Sequence, residues 1–257
     1  MISSSKAPGV LVAIAAVLVI VGLMLPRIPQ PLDYHNFADH RAALGIPNFG
    51  DVVSNIPFAI IGICGLVALS VSGKIVFHDS NERWPYALMF IGLILTALGS
   101  GYYHLAPDNA RLVWDRIPIM MAMMALVAAV IAERVNLKAG LALLPVLEIG
   151  GIASVLEWRQ SELLGHGDLR FYAAMQIYAI LVLLGMLLVI PKYSRSADFA
   201  VVVGLYVVAK VFEETDRQIF SLGHIVSGHT LKHLAAAAAS YWILRMLLQR
   251  RPIPAVA

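Results

Sequence analysis

Long apolar runs alternate with short polar connections along the chain, and the runs set the first expectation. Eight of them, near residues 8–26, 52–71, 86–105, 112–132, 140–156, 171–190, 198–216 and 225–248, have lengths close to a membrane-crossing helix. The criterion is geometric: ~20 residues rising ~1.5 Å each traverse a hydrocarbon core ~30 Å thick. The pattern predicts an all-α polytopic membrane helix bundle. Charged or proline residues interrupt the fourth, fifth and seventh runs. No repeat, low-complexity tract or long linker divides the chain, so one bundle is expected. The alanines at 235–239 lie inside the last run and read as a close helix contact.

The first run has two readings. Lys6 precedes it as an n-region precedes the apolar core of a signal peptide. The stretch from Gly9 to Leu25 is long, however, and Pro-Arg-Ile-Pro-Gln follows it without a small-x-small cleavage site. It therefore reads as a retained, signal-anchor-like helix. This divides the chain into an N-terminal helix at 1–30 and a helical membrane domain at 31–257.

Composition removes the soluble alternative. The 257 residues are 60% hydrophobic and 14% charged, where a soluble domain carries roughly 25% charged and 45–50% apolar residues. The net charge of +3 comes from scattered Lys and Arg without a basic run. That argues against nucleic acid and leaves the bilayer and a lipid as expected partners. Nothing in the sequence points to a protein partner. Cys64 is the single cysteine, which excludes an internal disulfide.

Alternating the eight spans from the N-terminus sorts the basic residues by side. One face collects Lys6, Lys74, Arg83, Arg134, Lys138, Lys192, Arg195, Arg245, Arg250 and Arg251, and the other Arg27, Arg41, Arg111, Arg116, Arg159, Arg170 and Arg217. The bias favours both termini in the cytoplasm and makes the second face the outer one.

Polar residues at membrane depth carry the chemistry, because a charge there costs on the order of 2.5–3.5 kcal/mol and is retained for a reason. Three groups fall towards the outer side. Ser100 and His104 are one helical turn apart at the end of the third span. Asp115 lies where the fourth span begins, either as a helix cap or as a functional carboxylate. His229 and His233 open the last span at the i, i+4 spacing that aims two imidazoles from one stripe. Thr230 follows the first histidine where the zincin motif has its glutamate base, so a base must come from another helix. Taken together, His104, His229 and His233 make a three-imidazole set with a fourth tetrahedral position open, the layout of a catalytic zinc. Glu213 and Asp216, at the end of the seventh span, offer carboxylates as outer partners for the histidines. His35, His40 and His224 lack helical spacing to a partner, and His78 and His166 read as solvated loop residues.

The Ser100-x-x-x-His104 pair, Asp115 eleven residues later and the late His229-x-x-x-His233 pair resemble the signature of the alkaline ceramidases. These belong to a superfamily of seven-helix membrane hydrolases that also includes adiponectin-receptor-like proteins. Asn48-Phe-Gly-Asp-Val-Val-Ser-Asn55 is similar to the segment opening that family's first helix. Phe212-Glu-Glu-Thr-Asp216-Arg-Gln-Ile-Phe220 looks like its sixth-helix Trp-x-x-Asp region, with Phe in place of Trp. The resemblance spans about residues 33–248, reads closest to the bacterial branch, and leaves the first helix as an addition to a seven-helix core. It implies zinc on His104, His229 and His233, Asp115 handling the proton of water, and Ser100 beside the metal. It further implies a bacterial plasma-membrane enzyme that cuts a ceramide-like lipid at its amide. The family's calcium site is not matched: the segment from Asp33 to Asn48 has fewer carboxylates and no Asp-Trp-x-Glu pattern.

Three functions fit this set: a lipid amide hydrolase, a related ester hydrolase or remodelling enzyme, and a receptor-like metal protein without turnover. Asp115 and Ser100 favour the first two, since a structural metal requires neither. Transport fits least, because the polar residues gather at one end and trace no path through the midplane.

Overall fold

A computed structural model describes Ser3 and residues 5–254; the outermost residues of the 1–30 and 31–257 divisions lie outside the described set. Among the described residues there are ten α-helices and no strand: α1 (Ala7–Met24), α2 (Phe49–Val53), α3 (Ile56–Ser70), α4 (Arg83–Leu105), α5 (Asn109–Arg134), α6 (Leu137–Leu163), α7 (Arg170–Leu187), α8 (Asp198–Glu214), α9 (Asp216–Ser221) and α10 (Gly228–Gln249). Helix lies at every expected span. Six stretches are long and apolar enough to cross a membrane: α1, α2 with α3, α4 with the turn before it, α5, α6 and α7. The chain is thus a polytopic helical membrane protein. The other two expected spans are helical but outside that set. One, α8, has only 17 residues; α10 carries His229, Lys232 and His233 on its first turns.

Helix starts follow local chemistry. The Asp108, Asn136 and Ser227 side chains accept from the backbone N–H three residues on, capping α5, α6 and α10. The sixth helix extends seven residues beyond the expected 156, through Glu157 to Leu163. Its polar last turns are good helix formers, so the helix outlasts the apolar run. The second span is broken instead: α2 ends at Val53, and Ser54 and Asn55 separate it from α3.

Most of α5 is enclosed, packed between α4 and α6, while α10 lies against α8 and α3 against α4. The α4–α5 contact is made by small residues. A Cβ on Gly99 would sit 2.0 Å from the Trp114 carbonyl oxygen, and one on Gly92 would sit 2.8 Å from the Ala122 nitrogen. Pro118 lacks the N–H that would bond Trp114 within the helix, so that carbonyl is left to face Gly99. Exposed side chains such as Val12, Leu23, Ile60 and Ile149 cover the outside, as lipid contact requires. At the end opposite the histidines, buried Arg250 pairs with Glu133, which also accepts from the Tyr86 hydroxyl.

Candidate metal centre

His104 ends α4, and α10 brings His229 and His233 one turn apart to the same place. All three are buried, and one ring nitrogen from each lies within 4.8 Å of the others. The Nε2 atoms of His104 and His229 are 3.3 Å apart. Ring centroids are 4.7–4.9 Å apart, with the planes at 62–83° to each other. Stacked rings would lie parallel; these meet edge to face. Three neutral imidazoles so arranged can hold a metal ion.

The surroundings come from four parts of the chain. Ser54 Oγ lies 2.8 Å from His233 Nδ1, and Asn55 Nδ2 lies 3.4 Å from the same atom. Asn48 donates to the His104 carbonyl at 2.8 Å, fixing the end of α4. Asp51, wholly buried, accepts from Thr230 Oγ1 at 2.7 Å and Ser227 Oγ at 3.2 Å, tying α2 to the start of α10. Phe37 lies over the cluster, its ring 4.8 Å from His104 and 4.2 Å from His229. The loop bearing Phe37 is anchored on both sides. His35 bonds Tyr103 and Asn109, and the Ala38 N–H donates to Asp216. Arg41 reaches the Ile225 carbonyl and clasps Asp39, whose carboxyl it holds below the usual carboxylate range.

Asp216 and Glu213 take roles other than those expected from their position. One Asp216 oxygen accepts from the His229 backbone N–H at 2.8 Å and the other from Ala38, so it locks the start of α10 and not an imidazole. Close approach makes this possible, since a Cβ on Gly228 would meet the Phe212 carbonyl at 2.3 Å. Glu213 pairs with Lys210 and Lys232, neutralising the ammonium that sits between the two histidines of α10.

Ser100 and Asp115 are both buried, on α4 and α5, each next in sequence to a residue of the Gly99–Trp114 contact. The cap reading of Asp115 does not hold: Asp108 is the N-cap, and Asp115 lies seven positions into α5. Of the other histidines, His78 and His166 are exposed, as expected. His35 and His40 are joined to the site, through Tyr103 and through Asn48. Sequence reasoning assigned no role to Phe37, Asp51, Ser54 or Asn55. The signal for the last three was present as polar residues at the opening of an apolar span.

The chain matches no family model, and no curated protein is significantly similar to it. The fold and site define a polytopic helical membrane protein with a buried three-histidine cluster suited to a metal ion.

Proposed function

We propose that the protein is a zinc-dependent membrane hydrolase that cleaves the amide bond of a ceramide-like lipid. The observation that carries this reading is a buried cluster of three imidazoles with buried Ser100 and Asp115 on the two helices that meet at the Gly99–Trp114 contact. Imidazole ligands suit zinc. Two nitrogens at ~2.0–2.1 Å from a tetrahedral ion lie ~3.3–3.4 Å apart; the His104–His229 pair has that spacing at 3.3 Å, and the three nitrogens lie within 4.8 Å of one another. Zinc held there supplies Lewis-acid polarisation of a carbonyl and acidification of water.

The chain's own groups supply the remainder. Asp115 accepts a proton from the attacking water and returns it to the leaving nitrogen. Ser100 orients that carboxylate at rest and donates to the carbonyl oxygen as charge develops on it. Phe37 and the anchored loop beneath His35 limit water at the centre, which strengthens each polar contact there. A membrane setting suits a two-chain lipid, and the charge bias favours a site on the non-cytoplasmic side of a plasma membrane. The test is turnover of a fluorescent ceramide by purified, zinc-loaded protein. Release of the labelled fatty acid, lost in His229→Ala, supports the reading; zinc-loaded protein that leaves ceramide intact removes it.

A further inference from the structure

The three imidazoles are not equally supported. His104 Nδ1 is buried with no hydrogen-bond partner, while His233 Nδ1 has Ser54 Oγ at 2.8 Å. Ser54 occupies the break between α2 and α3, and its hydroxyl meets His233 of α10 there. Its hydroxyl has a second neighbour, the Asp51 carbonyl at 3.2 Å. A hydroxyl has one hydrogen and two lone pairs. A carbonyl can only accept, so a Ser54 hydroxyl that gives its hydrogen to Asp51 keeps a lone pair for the imidazole.

We infer that Ser54 positions His233 by accepting its Nδ1–H, holding the Nε2 lone pair towards His104 and His229. The relay runs from His233 Nδ1–H to Ser54 Oγ, and from Ser54 O–H to the Asp51 carbonyl. Its direction matters. If Ser54 donated to Nδ1 instead, the ring's proton would sit on Nε2, where it would block the ligand position. Asn55 adds to the relay by donating to the same Asp51 carbonyl at 2.8 Å, which fixes that acceptor in place. Ser54 and the Asp51 backbone are buried, so water does not compete for these groups. The inference rests on the metal-centre reading above and assigns Ser54 a role in metal affinity rather than in the reaction itself.

The experiment is chelator competition for zinc on the full-length protein in detergent, with wild type, Ser54→Ala and Ser54→Thr. Losing an outer partner of a metal-bound histidine typically weakens affinity ~10–100-fold. Ser54→Ala should show a loss in that range with an unchanged circular dichroism spectrum, and Ser54→Thr, which keeps the hydroxyl, should recover most of it. Zinc affinity in Ser54→Ala equal to wild type overturns the inference while leaving the metal centre intact. Wild type that takes up no zinc overturns the metal centre and the inference with it. A second measurement needs no variant at position 54. Nitrogen-15 spectra of histidine-labelled, zinc-loaded wild type, assigned with His233→Gln, should show His233 protonated at Nδ1. Protonation at Nε2 overturns the relay.

Discussion

The Nε2 atoms of His104 and His229 lie 3.3 Å apart although 125 positions separate the two residues. Neither α4 nor α10 could fix that distance alone. Asn48 anchors the end of α4, Asp216 anchors the start of α10, and the loop between Asn36 and Asn48 joins the two anchors. Two buried imidazole nitrogens this close share either one proton or one cation.

The cation reading gives the first prediction. His104→Ala and His229→Ala should each lose bound zinc by elemental analysis, while His78→Ala, at an exposed loop, should keep it. Stoichiometric zinc in His229→Ala would show that the ion sits elsewhere.

The α4–α5 contact gives the second. Gly99→Ala puts a methyl 2.0 Å from a backbone carbonyl, which cannot rotate away, whereas Gly101→Ala meets nothing within 4 Å. Overpacking typically costs ~1–3 kcal/mol. Gly99→Ala should therefore lower the melting temperature and separate Ser100 from Asp115, with activity falling as well. Gly101→Ala should leave the melting temperature unchanged. Equal melting temperatures for the two variants would mean the helices pack differently.

Sidedness is the third. The proposed orientation exposes the α9–α10 linker outside the cell and the α3–α4 loop inside. In a Cys64→Ser background, Leu222→Cys should react with an impermeant thiol reagent in intact cells, and Lys74→Cys only after lysis. Both positions are exposed, so reactivity reports the side and not burial. The reverse pattern would invert the topology drawn from basic residues.

The legible part of this molecule was the part written in apolar length and in rare polar residues. Helix is present at each of the eight apolar runs, and His104, His229 and His233 meet as their spacing suggested. What the sequence hid was the support around them. Ser54 and Asn55 reach His233 from the break between Val53 and Ile56; the polar pair and Pro57 mark the break in the sequence, but not which distant helix the side chains meet. Phe37 lies over the imidazoles because a loop folds back onto α10, and loop paths depend on distant anchors such as Asp216. Asp216 and Glu213 looked like partners for the histidine rings by level in the membrane. Level does not fix direction, and their oxygens go to backbone N–H groups and lysines.

Asp115 carries the last prediction, which separates a catalyst from a metal-binding protein without turnover. Both structural explanations for it predict that Asn can replace it. As a helix cap it would tolerate Asn, but Asp108 already caps α5. As a partner for the Ser100 hydroxyl it would also tolerate Asn, whose carbonyl oxygen accepts the same bond. Proton transfer is the one role that Asn cannot fill. Asp115→Asn should thus bind zinc like the wild type, melt at nearly the same temperature, and lose ~10²–10⁴-fold in turnover, the usual contribution of a general acid–base group. Ser100→Ala should be milder, since it removes one donor and leaves the carboxylate. The measurement is turnover of fluorescent ceramide by zinc-loaded protein at matched metal content. Wild-type turnover in zinc-loaded Asp115→Asn would take Asp115 out of the mechanism. Loss of zinc in that variant would make it part of the metal's support instead.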